Sequence, residues 1–160
     1  MNYPLISMLT ILLLIQSSIT RAQVCDDVWI KEFNPQALEK CKQVAESGNV
    51  EAQFEYGLWL VRAPSEYKNI PKAIIWLKMS AQNKHYLSQV ALGKFLSGEI
   101  ESDQLPINPV ESYAWYMTAN EVKAANRIKA KMSYKDKKKA EELAASYIEK
   151  YQSDETRNNH

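Results

Sequence analysis

The sequence has 160 residues, with 20 Lys and Arg against 19 Asp and Glu. That length suits one small domain. The balanced charge offers no basic footprint of the kind that nucleic acid attracts.

The chain opens on an apolar run, Leu5 to Ile15 (LISMLTILLLI). A bilayer span needs about 20 apolar residues, so this run is short for crossing and has the length of a secretory core. Thr20-Arg21-Ala22 follows as a small-x-small cleavage motif. The reading is a cleaved signal peptide over 1–22 and a periplasmic or secreted protein. An uncleaved anchor is the alternative, because no Lys or Arg precedes the run. Cleavage removes Arg21 and leaves a formally neutral chain, with no stable membrane insertion expected afterwards.

Residues 23–40 form an N-terminal segment that runs into the first helix. Cys25 and Cys41 both fall in the opening stretch of the exported chain. In an oxidising compartment the simplest reading is one disulfide stapling this segment to the helix. A closed loop of about 15 residues stabilises by about 3 kcal/mol in the chain-entropy model. A metal site would need further ligands, and neither His85 nor His160 stands at a ligand spacing. A redox pair would normally read C-x-x-C.

Beyond Cys41 the pattern is all-α. Asn34-Pro35, Asn49, Asn69 with Pro71, Asn108-Pro109 and Ser133 are helix starts, because Asn and Ser cap free N–H groups and Pro tolerates the first turn. Gly48 and Gly98 are stops. The predicted helices cover 35–47, 50–62, 70–82, 85–97, 109–119, 121–131 and 134–151, with a short helical turn around 26–32. Short and long connections alternate, as in stacked helical hairpins. The tail 152–160 has no apolar residue and is read as disordered.

The middle of the chain repeats itself. Ala45–Leu60 lies over Ala81–Leu96, pairing Gln53 with Gln89 and Gly57 with Gly93. Asn69–Ala81 lies over Asn108–Asn120, pairing Trp76 with Trp115. A period of about 36 to 39 residues is that of a solenoid. Gly inside a helix costs about 1 kcal/mol against Ala, so Gly57 and Gly93 imply a helix packed close. Trp76 and Trp115 are expected to fill the gap between one hairpin and the next.

The pattern G-x-x-x-A-Q-x-x-[YL]-G, a proline-bearing loop, then A-x-x-W-[LY]-x-x-[SA]-A resembles the Sel1-like repeat, a relative of the tetratricopeptide hairpins. The resemblance covers two repeats over 41–120. It implies a short right-handed solenoid of antiparallel helical hairpins, closed by C-terminal capping helices over 121–151. The chain departs from the family at the loops after both first helices, where Arg62-Ala63-Pro64 and Ser97-Gly98-Glu99 stand. Lys84 takes the place of a Gly48-type residue, and Leu60 and Leu96 that of the usual Tyr.

Chemistry is sparse. Ser65-Glu66-Tyr67-Lys68 fits an S-x-x-K motif, but the partner elements of such enzymes are missing and Ser65 falls in a loop. His85 opens a helix where Asn49 stands in the other repeat, and reads as structural. Lys129, Lys131, Lys135, Lys137, Lys138 and Lys139 form a basic cluster, with Glu141 and Glu142 able to pair along the helix. No cofactor or metal is expected. By resemblance to tetratricopeptide hairpins, Glu51, Glu55, Leu58 and Arg62, with Leu87 and Lys94 of the second repeat, line a concave partner-binding side. The expectation is a non-enzymatic adaptor or scaffold of the cell envelope that binds another protein. The alternatives are a periplasmic immunity protein that neutralises a toxin and a module that binds cell wall or membrane. A hydrolase using Ser65 and Lys68 comes last. Oligomeric state stays open.

Overall fold

The computed structural model describes Cys25, residues 33–100 and residues 107–152. The leader at 1–22, the turn around 26–32 and the tail beyond Gln152 lie outside the described residues. Those described form seven helices and no strand: α1 (Pro35–Glu46), α2 (Val50–Arg62), α3 (Ile70–Gln82), α4 (Tyr86–Leu96), α5 (Pro109–Thr118), α6 (Val122–Ala130) and α7 (Tyr134–Gln152).

The caps stand where the polar residues precede apolar runs. Asn34, Asn49, Asn69 and Asn108 each accept a hydrogen bond from a first-turn backbone N–H, and Ser133 Oγ accepts one from Asp136 N. His85 takes the same part for α4, its ring accepting from Ser88 N. It is thus the counterpart of Asn49. The turns close with positive φ at Gly48 (91°), Lys84 (64°), Gly98 (79°) and Asn120 (60°). Lys84 holds the left-handed conformation with a Cβ, where Gly48 has none to strain.

Each helix from α1 to α5 packs on the next in the chain, while α7 turns back to lie on α5. The two hairpins, α2–α3 and α4–α5, repeat one another in atomic detail. Gln53 Nε2 donates to Ala45 O and Gln89 Nε2 donates to Ala81 O. A Cβ on Gly57 would lie 2.9 Å from Leu77 Cγ, and one on Gly93 would lie 2.7 Å from the Tyr116 ring. The two glycines therefore let each hairpin close, and Leu77 and Tyr116 occupy equivalent positions. Such hydrogen-bonded polar side chains between helices satisfy carbonyls left over at helix ends.

Trp76 and Trp115, the repeat-equivalent tryptophans, look back along the solenoid. Trp76 joins the cluster that α1 and α2 build around Cys41, Ala45 and Tyr56, edge-on to Tyr56. Trp115 joins the cluster of Ile70, Ile74 and Leu77 from α3 with Leu92 from α4. It is also covered by Tyr147 and Tyr151 of α7, with ring centroids 4.6 and 5.6 Å away. Trp76 thus fills the gap between α1 and the first hairpin, and Trp115 the gap between the two hairpins.

Cys25 and Cys41 form a disulfide. Both are buried in the first cluster, and Trp59 Nε1 donates to Cys25 O at 3.0 Å. The bridge and this hydrogen bond tie Cys25 to α1 and α2 together. Gln152, expected in the tail, ends α7 and donates to Gln89 Oε1 and Thr118 O.

Candidate functional site: a groove between α2 and α4

The first helices of the two hairpins, α2 and α4, stand side by side and leave a groove of about 360 Å³ between them. Residues three and four apart share a helix face. Phe54, Leu58, Val61 and Arg62 of α2 therefore line one wall, and Leu87, Val90, Ala91 and Lys94 of α4 the other. Phe95 and Ile100 complete the lining. The surface is apolar except for Arg62 and Lys94, which both lie near the C-terminal ends of their helices. Neither forms an ion pair with a described residue. Arg62 rests over the Trp59 ring at 5.9 Å.

The opposite end of the groove is closed by a polar link. Glu51 Oε2 lies 3.0 Å from His85 Nε2, joining the start of α2 to the cap of α4. The His85 ring packs on Phe54 at 4.8 Å. Its Nδ1 lies 2.8 Å from Ser88 Oγ, which in turn donates to Ser80 Oγ, and Ser80 Oγ donates to Val50 O. Carboxylate, imidazole and hydroxyl thus stand in the order of a nucleophilic triad. Ser88, one helical turn on from His85, is its hydroxyl partner. Ser88 is fully buried, so its hydroxyl meets no solvent. The chain of contacts ties α2, α3 and α4 together at one end.

Of the residues expected on the partner-binding side, Leu58, Arg62, Leu87 and Lys94 line the groove. Glu51 sits at its rim on His85, and Glu55 is outside the lining. Phe54, Val61, Val90, Ala91 and Phe95 were absent from the sequence-based set. A repeat alignment marks equivalent positions, but the placement of α4 relative to α2 decides which side chains line the space between them.

The other candidates have separate places. Ser65 is exposed in the turn after α2, and its hydroxyl points to Glu66; among the described residues no hydrogen bond joins it to Lys68. In the Lys cluster, Lys129 pairs with Glu141 across α6 and α7, and Lys138 pairs with Glu142 along α7. A second cavity of about 370 Å³ lies between the loop after α4 and the start of α7, lined by Glu99, Lys131, Ser133 and Asp136 among others. No group of three metal-ligating side chains occurs among the described residues. None of the described helices is long and apolar enough to cross a membrane.

Two tyrosines on α5 and α7 have hydroxyls pushed up to about 12. For Tyr116 the cause is burial first and then Glu99. For Tyr147 it is burial and then Glu111, whose carboxylate lies beside it.

Stacked helical hairpins with close glycine contacts and an open groove between their first helices define a helical-repeat scaffold. No protein-family model and no curated protein matches the sequence. Among solved structures, the chain is similar to the crystal structure of a protective antigen present in uropathogenic Escherichia coli strains and displaying an SLR fold, with a TM-score of 0.70 and 25% identity. The match covers 82% of this chain and 30% of that one, so this chain spans about a third of that protein's length. The chain has the fold of the Sel1-like repeats.

Proposed function

We propose that this is an exported Sel1-like repeat protein that acts as a non-enzymatic adaptor and binds a segment of another protein in the α2–α4 groove. One observation carries the reading: an open apolar groove, formed between equivalent helices of the two repeats, with two cations at one end. Solenoid repeats commonly present such surfaces to partners. The apolar walls suit a peptide segment laid along the groove, and Arg62 with Lys94 suits a carboxylate at its end. The buried disulfide supports an oxidising compartment outside the cytoplasm. The description of the similar structure as a protective antigen accords with an exported protein.

Leu87 is half exposed, so Leu87→Glu alters the groove without opening the core. The test is affinity capture of the tagged protein from envelope and secreted fractions, read by mass spectrometry, beside Leu87→Glu and Arg62→Glu/Lys94→Glu. The expected result is a partner retained by the native protein and lost from both variants. A partner retained equally by all three moves the site off the groove, and capture of cell-wall or lipid material alone overturns a protein ligand.

A further inference from the structure

Charge is shared unevenly along this chain. Residues 129–139 hold six Lys and one acid, Asp136, while the whole chain has a formal net charge of +1. The remainder is therefore net acidic. The basic excess sits at the end of α6, on the turn after it and on the first turns of α7. Asp136 is engaged in the helix cap, its carboxylate accepting from Ser133 Oγ at 2.7 Å. Lys129 pairs with Glu141, and Lys138 meets Glu142 at 4.0 Å with both side chains largely exposed. Lys131, Lys135, Lys137 and Lys139 form no ion pair with a described residue. Elsewhere lysines do find acids: Lys42 lies between Glu39 and Glu46, and Lys78 pairs with Glu111.

Tyr134 opens α7 among these lysines. It is 87% exposed, the most exposed large apolar side chain among the described residues. Tyr134, Lys135, Lys138 and Lys139 fall at i, i+1, i+4 and i+5, which places them on one side of the helix. All four are exposed, as is Lys131 just before them. The opposite side of α7 holds the helix in place: Ala140 and Ala144 are buried there, and Tyr147 and Tyr151 pack on Trp115. Tyr134 and the three α7 lysines line neither cavity. They form an open basic surface with an aromatic ring in it.

We propose that this surface adsorbs to an anionic phospholipid membrane, with Lys131, Lys135, Lys138 and Lys139 over the headgroup phosphates and the Tyr134 ring at headgroup depth. Three features select a membrane over a defined acidic partner. The cations are all lysines, point charges on flexible stems that meet phosphates in any arrangement, whereas forked recognition of carboxylates favours Arg. The surface is open, so it suits an extended layer of charge. Its exposed ring is of the kind that seats at a membrane interface, apolar in body and polar at the tip. The association is peripheral, since none of the described helices is long and apolar enough to cross a membrane. It rests on several lysines acting together within a Debye length of the lipid charge. The α2–α4 groove is built from other residues, so an adsorbed molecule keeps it free, and neither reading depends on the other.

The test is flotation with vesicles of phosphatidylcholine alone or with about one-third phosphatidylglycerol. It uses Gln23–His160, which holds all seven helices and the disulfide and lacks the apolar leader that would itself partition into lipid. Circular dichroism confirms the fold of each variant. The expected result is binding at least about tenfold tighter to the anionic vesicles, lost in about 0.5 M salt. Each lysine near an anionic surface strengthens binding by about fivefold, so Lys135→Gln/Lys138→Gln/Lys139→Gln should weaken it about a hundredfold. Lys40→Gln/Lys68→Gln/Lys72→Gln removes the same charge from exposed positions elsewhere and should leave binding within about twofold. Tyr134→Ala should weaken binding severalfold, and Tyr134→Trp should retain it. Equal binding to both vesicles, binding to neither, or equal losses from the two lysine triples overturns the proposal. Retention on polyglutamate without vesicle binding overturns it in favour of an acidic protein partner.

Discussion

Gly93 is the position where the repeat architecture is most exposed to a single methyl group. A Cβ there would lie 2.7–2.8 Å from three atoms of the Tyr116 ring. Normal contact between carbons is about 3.5–4.0 Å, so the ring must retreat by roughly 1 Å. Tyr116 is buried on α5, with its hydroxyl near Glu99, and has little room to move. Overpacking of this kind costs about 1–3 kcal/mol, and the depth of the overlap with a rigid ring places it near the upper end. Replacing Gly by Ala within a helix returns about 1 kcal/mol. Gly93→Ala should therefore destabilise by about 2 kcal/mol, lowering Tm by roughly 6–8 °C for a domain of this size. Urea denaturation followed at 222 nm measures it. In the double-mutant cycle, Tyr116→Leu should relieve part of the cost, giving a favourable coupling of about 1 kcal/mol. A Gly93→Ala protein as stable as the native one, or more stable, would refute the argument, because helix propensity alone would then account for the result.

Lys84→Gly should stabilise by about 0.5–1 kcal/mol, since it removes the Cβ from a left-handed turn residue, and thermal denaturation reads the gain. Replacing both Cys25 and Cys41 by Ser should cost about 3 kcal/mol and loosen the segment held by Trp59, seen as faster proteolysis ahead of α1. Gln89→Met should cost about 1 kcal/mol more than Gln53→Met: Gln89 Oε1 accepts from Gln152, whereas Gln53 Oε1 is buried with no partner among the described residues. The tyrosine shifts set the alkaline limit. Their folded hydroxyls titrate above the ordinary value of 10, at about 12, so folding favours the protonated form. That contribution is whole below pH 10 and is lost as pH rises through 12. Absorbance at 295 nm should show two tyrosines ionising late, and Tyr147→Phe should remove one of them.

Seven helices were legible in the sequence to within about one residue at each end. Asn34, Asn49, Asn69, Asn108 and Ser133 are local signals whose caps need only the following turn. The repeat was legible too, because Gln53 and Gln89 or Gly57 and Gly93 answer the same packing problem twice and so recur in register. The SLR-type fold follows from that recurrence, and the disulfide from two cysteines in a chain whose opening run reads as a secretory signal.

Tertiary structure alone decided the rest. His85 meets Glu51 because α2 and α4 converge at one end, a contact between residues far apart in sequence. The groove is lined by Phe54, Val61, Val90, Ala91 and Phe95 because of where α2 and α4 stand relative to each other, which a repeat alignment does not encode. Above all, Ile75 and Ala114 occupy equivalent sequence positions and differ in burial because α7 folds back over α5 and leaves α3 open. Local preference and periodicity are properties of a short stretch of chain. Which faces are covered depends on where distant segments come to rest, and that is set by the packing of the whole.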